Sequence, residues 1–484
     1  MDIKKLKKIL LKAAILYWML VFMIYAVAYP QFRYSEITTE TLPPSTIIGD
    51  LVDGVEIRQR VVIPADQLNS ISLNAATYGR ENPGEVKVRI EDAGGQTVAE
   101  LSKAAADFEN CKYTKLPLLQ PIEGHKDEVM TVVVSSEGCL PGNTIAVYAG
   151  DAVSTGKFDV AVEIQNEDRY LLNGEAGSGM LCVLMGGISS LQFYKHYWLI
   201  TGGVFVLAVL LCAWWVKQAN QGHNNPLVMV YSLLTKYNLL LRQLISREFK
   251  AKYKRSALGM AWSLLNPLLT MAVQYVVFST LFKSDIENYP LYLLTGIVMM
   301  NFFNEAIGMG MTSITANAAL IKKVYVPKFV YPVTRVITSS INFLLAFVPI
   351  FLVMFVTRTP IRVSMLLLIF DILCLIGFLM GMCLILTTAM TFFQDTQFIW
   401  SVLSMLWFYV TPVFYPERII PKPLLPYFRL NPMYHYIGFA RACIINGVSA
   451  EPTAYLWCIT SSLVVLLIGA LIFKKNQDKF ILYI

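Results

Sequence analysis

The sequence is poor in charge. Only 15% of its 484 residues are Asp, Glu, Lys or Arg, while 56% are hydrophobic. Soluble domains carry about 25% charged residues, so a soluble enzyme cannot account for the whole chain. Histidine is scarce too. His125, His196, His223 and His435 all stand outside the centres of apolar runs, which leaves no histidine relay of the kind that serves proton-driven transport. The eight cysteines contain no Cys-x-x-Cys pair, so no metal-site spacing is present. Cys111 and Cys139 lie well within a polar segment, where a disulfide and two free thiols both remain open readings. A phosphate-binding loop is missing as well. The nearest approach, GDAVSTGKF at 150–158, has its glycines one residue too far apart and Phe158 in place of the hydroxyl residue. No ATP hydrolysis by that route is expected of this chain.

Long apolar runs are what the sequence has instead. A hydrocarbon core about 30 Å thick needs about 20 apolar residues per helical span. Eight runs approach that length: 13–29, 198–216, 261–282, 291–311, 333–356, 365–390, 398–414 and 456–473. The first follows a lysine-rich start, MDIKKLKKILLK, and holds the bulky Trp18, Met19 and Phe22. It reads as a retained anchor rather than a cleaved signal peptide. Charge is distributed unevenly around the runs. Residues 1–12 carry a net +4, residues 31–195 a net −10, and the remainder +13. Cations near span ends stay in the cytoplasm, which places the N-terminus inside and the acidic segment outside. Eight crossings return Lys474, Lys475 and Lys479 to the inside. The basic excess follows from this topology, so nucleic acid is not an expected partner.

The implied organisation is a polytopic α-helical membrane protein with an extracytoplasmic all-β domain. Residues 1–30 form a cytoplasmic tail and first anchor span, and 196–216 the second anchor span. Between them, 31–195 reads as a β-sandwich or jelly roll, with alternating strands near 55–63, 70–78, 85–92, 128–136, 143–150 and 157–165. Residues 217–260 form a cytoplasmic linker whose last part is amphipathic. There Leu241, Leu244, Ile245, Phe249, Tyr253 and Ala257 follow i, i+3/i+4 spacing, with Arg247, Lys250 and Lys254 opposite. Glu248 and Lys252 interrupt the apolar arc, four residues apart in the favourable order. Such a helix suits the cytoplasmic membrane interface. Residues 261–484 then form a six-span core. Within the spans, ionisable residues are costly, and Glu305 and Asp371 stand out. For Glu305, a bond to a neighbouring helix and a place on a transport path are both open.

The last 250 residues resemble the membrane subunit of a type-2 ABC exporter, within the group that exports O-antigen, capsule and teichoic acid. The segments KAKYKRSALGMAWSLLNPLLTM, NFFNEAI, ITANAALIKKVYVPK, TFFQDTQFI, TPVFYPERIIP and LNPMYHYIGFARACI carry the likeness. Gln394 before Asp395, and Phe329 after the Pro-basic pair, depart from the usual pattern.

The resemblance implies a homodimer served by two copies of a separate ATPase, which would bind ATP and Mg. This chain would hold no cofactor, metal or catalytic residue of its own. Its implied cargo is a lipid-linked glycan and its implied home the bacterial cytoplasmic membrane. A coupling helix near 314–326 would dock the ATPase through Asn317, Leu320, Ile321, Lys322, Lys323 and Tyr325. The interface helix, with Phe249, Lys250, Tyr253, Lys254, Arg255 and Trp262, would act as a gate hinged at 257–259. A re-entrant region, 412–445, would close the outer end. Tyr275, Phe278, Phe302, Phe303, Glu305, Trp407 and Tyr409 are candidates for the conduit. In the β-domain, which resembles carbohydrate-binding modules, Tyr78, Tyr113 and Tyr148 are candidates for stacking on sugars. The alternatives are an exporter of another amphiphile (drug, lipid or peptide), a membrane glycosyltransferase, and a non-catalytic sensor built on the β-domain.

Overall fold

A computed structural model describes residues 3–39, 44–150, 171–177, 179–191, 193–221, 226–254, 258–282, 288–323, 326–421 and 423–484. The chain divides into two units, Arg33–Gln192 and the combination of Met1–Phe32 with Phe193–Ile484.

In the first unit, period-two alternation builds strands with one wet and one dry face. Val86, Val88 and Ile90 are buried, whereas Lys87 and Arg89 between them are half-buried. Two antiparallel sheets result. The six-stranded one runs Glu175–Ala176, Leu171–Leu172, Ile57–Val62, Val129–Glu137, Glu85–Glu91 and Thr97–Ala104. The seven-stranded one is centred on Gln67–Ala76, which pairs with Val183–Ser190, Lys112–Glu123 and Ala146–Gly150. Ile57, Val88 and Val134 from one sheet share an apolar core with Leu73, Leu116 and Val147 from the other. Five expected strands are present, and the sixth, 157–165, lies outside the described residues. Eight other strands among the described residues were not legible, three of them eight residues or longer. Lys112–Glu123 carries Pro117 and Pro121 and pairs with Gln67–Ala76 alone, as proline in a strand requires of an edge. Val183–Ser190 hides its alternation behind paired glycines, and Thr97–Ala104 is a polar edge. Cys111 and Cys139 are free thiols, one exposed and one buried. Cys139 Sγ donates to Pro83 O instead.

The second unit is helical: α1 (Ile3–Arg33), α2 (Phe193–Asn220), α3 (Pro226–Thr235), α4 (Asn238–Tyr253), α5 (Ala261–Phe282), α6 (Tyr289–Met311) and α7 (Ala318–Lys323). There follow α8 (Val330–Leu345), α9 (Phe347–Val356), α10 (Leu368–Phe392), α11 (Thr396–Val410), α12 (Leu425–Arg429), α13 (Pro432–Arg441) and α14 (Pro452–Asn476). Among the described residues, seven helical stretches are long and apolar enough to cross a membrane. The eighth expected run, 398–414, is corrected to α11. Its 15 residues rise only about 22 Å at 1.5 Å per residue. Within the core, α6 is buried along most of its length. Helices α10 and α14 cross at backbone contact, since a Cβ on Gly469 would stand 2.3 Å from Gly381 O. Gly377 and Gly381 form the small-xxx-small spacing that permits such an approach.

Candidate functional site

On α4, Leu241 and Leu244 are buried among Ile314, Ile321, Phe329 and Val330. The apolar arc therefore rests on protein along its first half. The two residues that spoil the arc make the cross-helix ion pairs. Glu248 pairs with Arg335 of α8, with side chains only 13% and 16% exposed. Lys252 Nζ stands 2.8 Å from Glu305 Oε1 of α6. That oxygen also accepts from Asn342 Nδ2 of α8 at 2.6 Å. Asn342 Oδ1 accepts from the Tyr253 hydroxyl at 3.1 Å, and the same hydroxyl lies 2.6 Å from Ser263 Oγ of α5. One polar chain thus joins α4, α5, α6 and α8. Of the two readings of Glu305, the bond to a neighbouring helix is present, since it pairs with Lys252 of α4 and Asn342 of α8; it also lines a cavity.

That cavity measures about 650 Å³, within the range of small-ligand sites, about 300–1,000 Å³. Lys252, Glu305, Asn266, Asn301 and Asn342 give its lining polar groups, and Trp262, Val298, Phe302 and Phe343 give it apolar surface. Phe302 and Phe343 are stacked with centroids 4.3 Å apart. A pocket lined by both kinds of group suits an amphiphile. Gly259, in its lining, has φ +49°, a left-handed conformation that glycine adopts without strain.

Beyond α6, Asn317 Nδ2 donates to Ser313 O at 2.8 Å, and its Oδ1 accepts from Arg247 Nη2 at 3.0 Å. Arg247 Nη2 also lies 3.1 Å from Glu248 Oε1. The links Asn317–Arg247–Glu248–Arg335 therefore tie the expected coupling segment to α4 and α8. Of the coupling candidates, Asn317 and Ile321 face inward, Leu320 is half-buried, and Lys322 and Lys323 are exposed. Nearby, burial pulls the Lys328 ammonium below its ordinary pKa. Tyr325, Arg255 and Ala257 lie outside the described residues.

The remaining candidates separate into groups. Lys250 and Lys254 are exposed, and Phe249 packs edge-on against Tyr253. Phe303 is fully buried beside Phe378, Trp400 and Trp407, away from the cavity lining. Trp407 Nε1 is held by Asn431 Oδ1 at 2.8 Å. Tyr275, Phe278 and Tyr409 gather near the start of α6, where Tyr275 meets Tyr289, and both Phe278 and Tyr409 meet Phe414. In the β-unit, Tyr113, Asn74, Cys182, Tyr148 and Ile47 form one row across the seven-stranded sheet. The Tyr148 hydroxyl lies 3.1 Å from Cys111 Sγ, and that contact with burial raises its pKa to about 12. Tyr78 is 46% exposed under the Arg80 guanidinium. Among the described residues no cluster of His, Cys, Asp or Glu is placed to hold a metal.

Residues 240–445, which contain this cavity, match the family described as ABC-2 type transporter. The O-antigen export system permease protein RfbA of Klebsiella pneumoniae is 32% identical over 257 residues, 51% of this chain and 98% of that protein. The chain belongs to the ABC-2 type transporter family. A homologue of the same description from Myxococcus xanthus is also 32% identical, over 51% of this chain and 96% of its own length. The polysialic acid transport protein KpsM of Escherichia coli is 22% identical over 49% and 92%. As an ABC-2 type transporter the chain is a multi-pass membrane subunit with a polytopic helical core and no enzymatic role of its own. Within that core, residue reasoning missed Arg335, Asn342 and Ser263. Asn342 and Arg335 could have been flagged as polar positions inside an apolar run, but their partners are distant in sequence.

Proposed function

We propose that this chain is the permease of an ATP-driven exporter of a lipid-linked polysaccharide or similar cell-envelope glycan. The observation that carries the reading is the relatives' O-antigen export role, at about a third identity over nearly their whole length. The cavity beside α4, lined by both polar and apolar groups, supports it. In this reading the chain sits in the cytoplasmic membrane as a homodimer, with both termini inside and residues 31–195 outside. Two copies of a partner ATPase bind ATP and Mg. They dock at the segment around α7, through Leu320, Lys322 and Lys323. Their closure moves that segment, and the Asn317–Arg247–Glu248–Arg335 links carry the motion to α4. The lipid end of the cargo enters beside α4, exchanging Glu305 for its own anionic group on Lys252. The row holding Tyr113 and Tyr148, with Tyr78 near it, offers the emerging glycan aromatic faces.

Reconstitution with a candidate partner ATPase tests the proposal. ATP-dependent movement of a lipid-linked glycan is expected, and Lys252→Ala should cut it about tenfold, as loss of one charged hydrogen bond implies. A complex that hydrolyses ATP but moves no glycan would defeat the reading.

A further inference from the structure

On the seven-stranded sheet of the β-unit, alternation sends Leu73 and Ala75 into the sandwich core. Asn74, between them, is left on the other face. There it stands between Tyr113, directly opposite on Lys112–Glu123, and Cys182, whose carbonyl accepts from Asn74 N. A polar side chain on an outer sheet face normally meets water, yet Asn74 is only 2% exposed. Its Oδ1 has no hydrogen-bond partner among the described residues. A buried acceptor left bare is costly, and so rare that each one calls for a physical reason.

Tyr113 supplies the cover. Its hydroxyl bonds the Cys182 thiol on the far side of Asn74, so its ring lies across the amide. A thiol is a weak partner for a phenol. The closed arrangement therefore satisfies neither group well, since the hydroxyl has a poor partner and the amide oxygen none. Beyond Cys182 stands Tyr148, half-buried, with its hydroxyl 3.1 Å from Cys111 Sγ. The adjacent row on this face adds the Ser72 hydroxyl and the exposed Lys115. Phenol rings, a bare amide acceptor and a hydroxyl thus share one surface. These residues precede the 240–445 family match, so that likeness assigns them no role.

We propose that this face is a subsite for a pyranose ring, with Tyr113 as its lid and Asn74 as the acceptor at its floor. The inference rests on the exporter reading for the source of the sugar. When Tyr113 rotates off Cys182, Asn74 Oδ1 becomes reachable. A sugar hydroxyl donates to it, and the apolar face of the same ring lies on a tyrosine. Aromatic surface with a few placed polar groups is the usual make-up of such a site. A hydrocarbon chain has no donor for the amide oxygen, and neither has an ionised phosphate. The subsite therefore reads the glycan rather than its lipid anchor.

The test uses the full chain in nanodiscs, without ATP. Hexasaccharides of glucose, mannose, galactose or N-acetylglucosamine serve as probes, with binding titrated by saturation-transfer NMR. At least one should bind the wild type. Asn74→Leu keeps the shape and removes the acceptor, so it should weaken that binding about tenfold, as loss of one hydrogen bond implies. Its unfolding temperature without sugar should be no lower than the wild type's, because the closed state loses no bond. An asparagine with a purely structural role would destabilise the chain when replaced. Tyr113→Phe frees the lid from Cys182 and keeps the ring, so it should bind at least as tightly as the wild type. Binding by none of the sugars, undiminished binding by Asn74→Leu, or a lower unfolding temperature for that variant would each overturn the subsite. Weaker binding by Tyr113→Phe would overturn the lid. Sugar binding by a chain that exports no glycan with its ATPase would instead count against the exporter reading, because the binding arm needs no transport.

Discussion

Glu248 and Lys252 sit one turn apart on α4 and reach different helices, and their exposure predicts different consequences. The Glu248–Arg335 pair is largely buried, so Glu248→Ala leaves a guanidinium uncompensated and should cost about 3 kcal/mol. Lys252 is 40% exposed beside Glu305, so Lys252→Ala should change stability by less than about 1 kcal/mol. Thermal unfolding of the two variants in detergent separates these outcomes. Equal stabilities would remove the buried pair from the account. Both residues were visible in the sequence as breaks in an apolar arc, which is where function tends to interrupt local pattern. Their partners were not visible. Arg335 lies 87 residues from Glu248 and Glu305 lies 53 from Lys252, and nothing in a helical period says which neighbouring helix a side chain will meet.

At the scale of elements, helices were more legible than strands. A run of about 20 apolar residues is a strong signal, and seven of the eight expected runs became long helices. The eighth failed on length, because Pro412 follows the last turn of α11 and the carbonyls beyond it are held by side chains. Lys112–Glu123 was hidden because its prolines contradict a strand unless it lies at an edge. The coupling segment allows a sharper forecast than the sequence did. Lys322→Ala with Lys323→Ala removes exposed cations and should lower ATPase docking without unfolding the chain. Asn317→Ala breaks the Arg247 link and should leave docking intact while reducing export. Copurification with the ATPase, alongside an export assay, distinguishes the two. The junction at 257–259 supplies another test. A flexible linker inserted there should abolish export while leaving membrane insertion unchanged, and surviving export would show that α4 need not move with α5.

For the whole molecule, acidity is concentrated in the β-unit and basicity in the helical one, so the two should differ in their response to pH. Asp66 is the β-unit's most informative carboxylate. Its Oδ2 accepts from Ser190 N at 2.6 Å, Ser190 Oγ at 2.8 Å and Ser189 Oγ at 3.1 Å, and Lys126 Nζ lies 3.3 Å from Oδ1. The Ser190 backbone N–H, foremost among these, lowers its pKa to about 2, from an ordinary value of about 3.9. A carboxylate whose pKa is depressed by folding adds stability above its unfolded pKa and loses it as pH falls through the folded one. The bond to the end of Val183–Ser190, where the chain leaves the sandwich for α2, should therefore hold fully above about pH 5 and weaken towards about pH 2. Amide exchange across Tyr34–Thr38 and Val183–Ser190, measured on the full chain over that window, should rise as the pH falls, after correction for intrinsic rates. Asp66→Asn should flatten the profile by removing the titrating group. An unchanged slope in that variant would assign the acid response to other carboxylates and leave Asp66 as an ordinary surface acceptor.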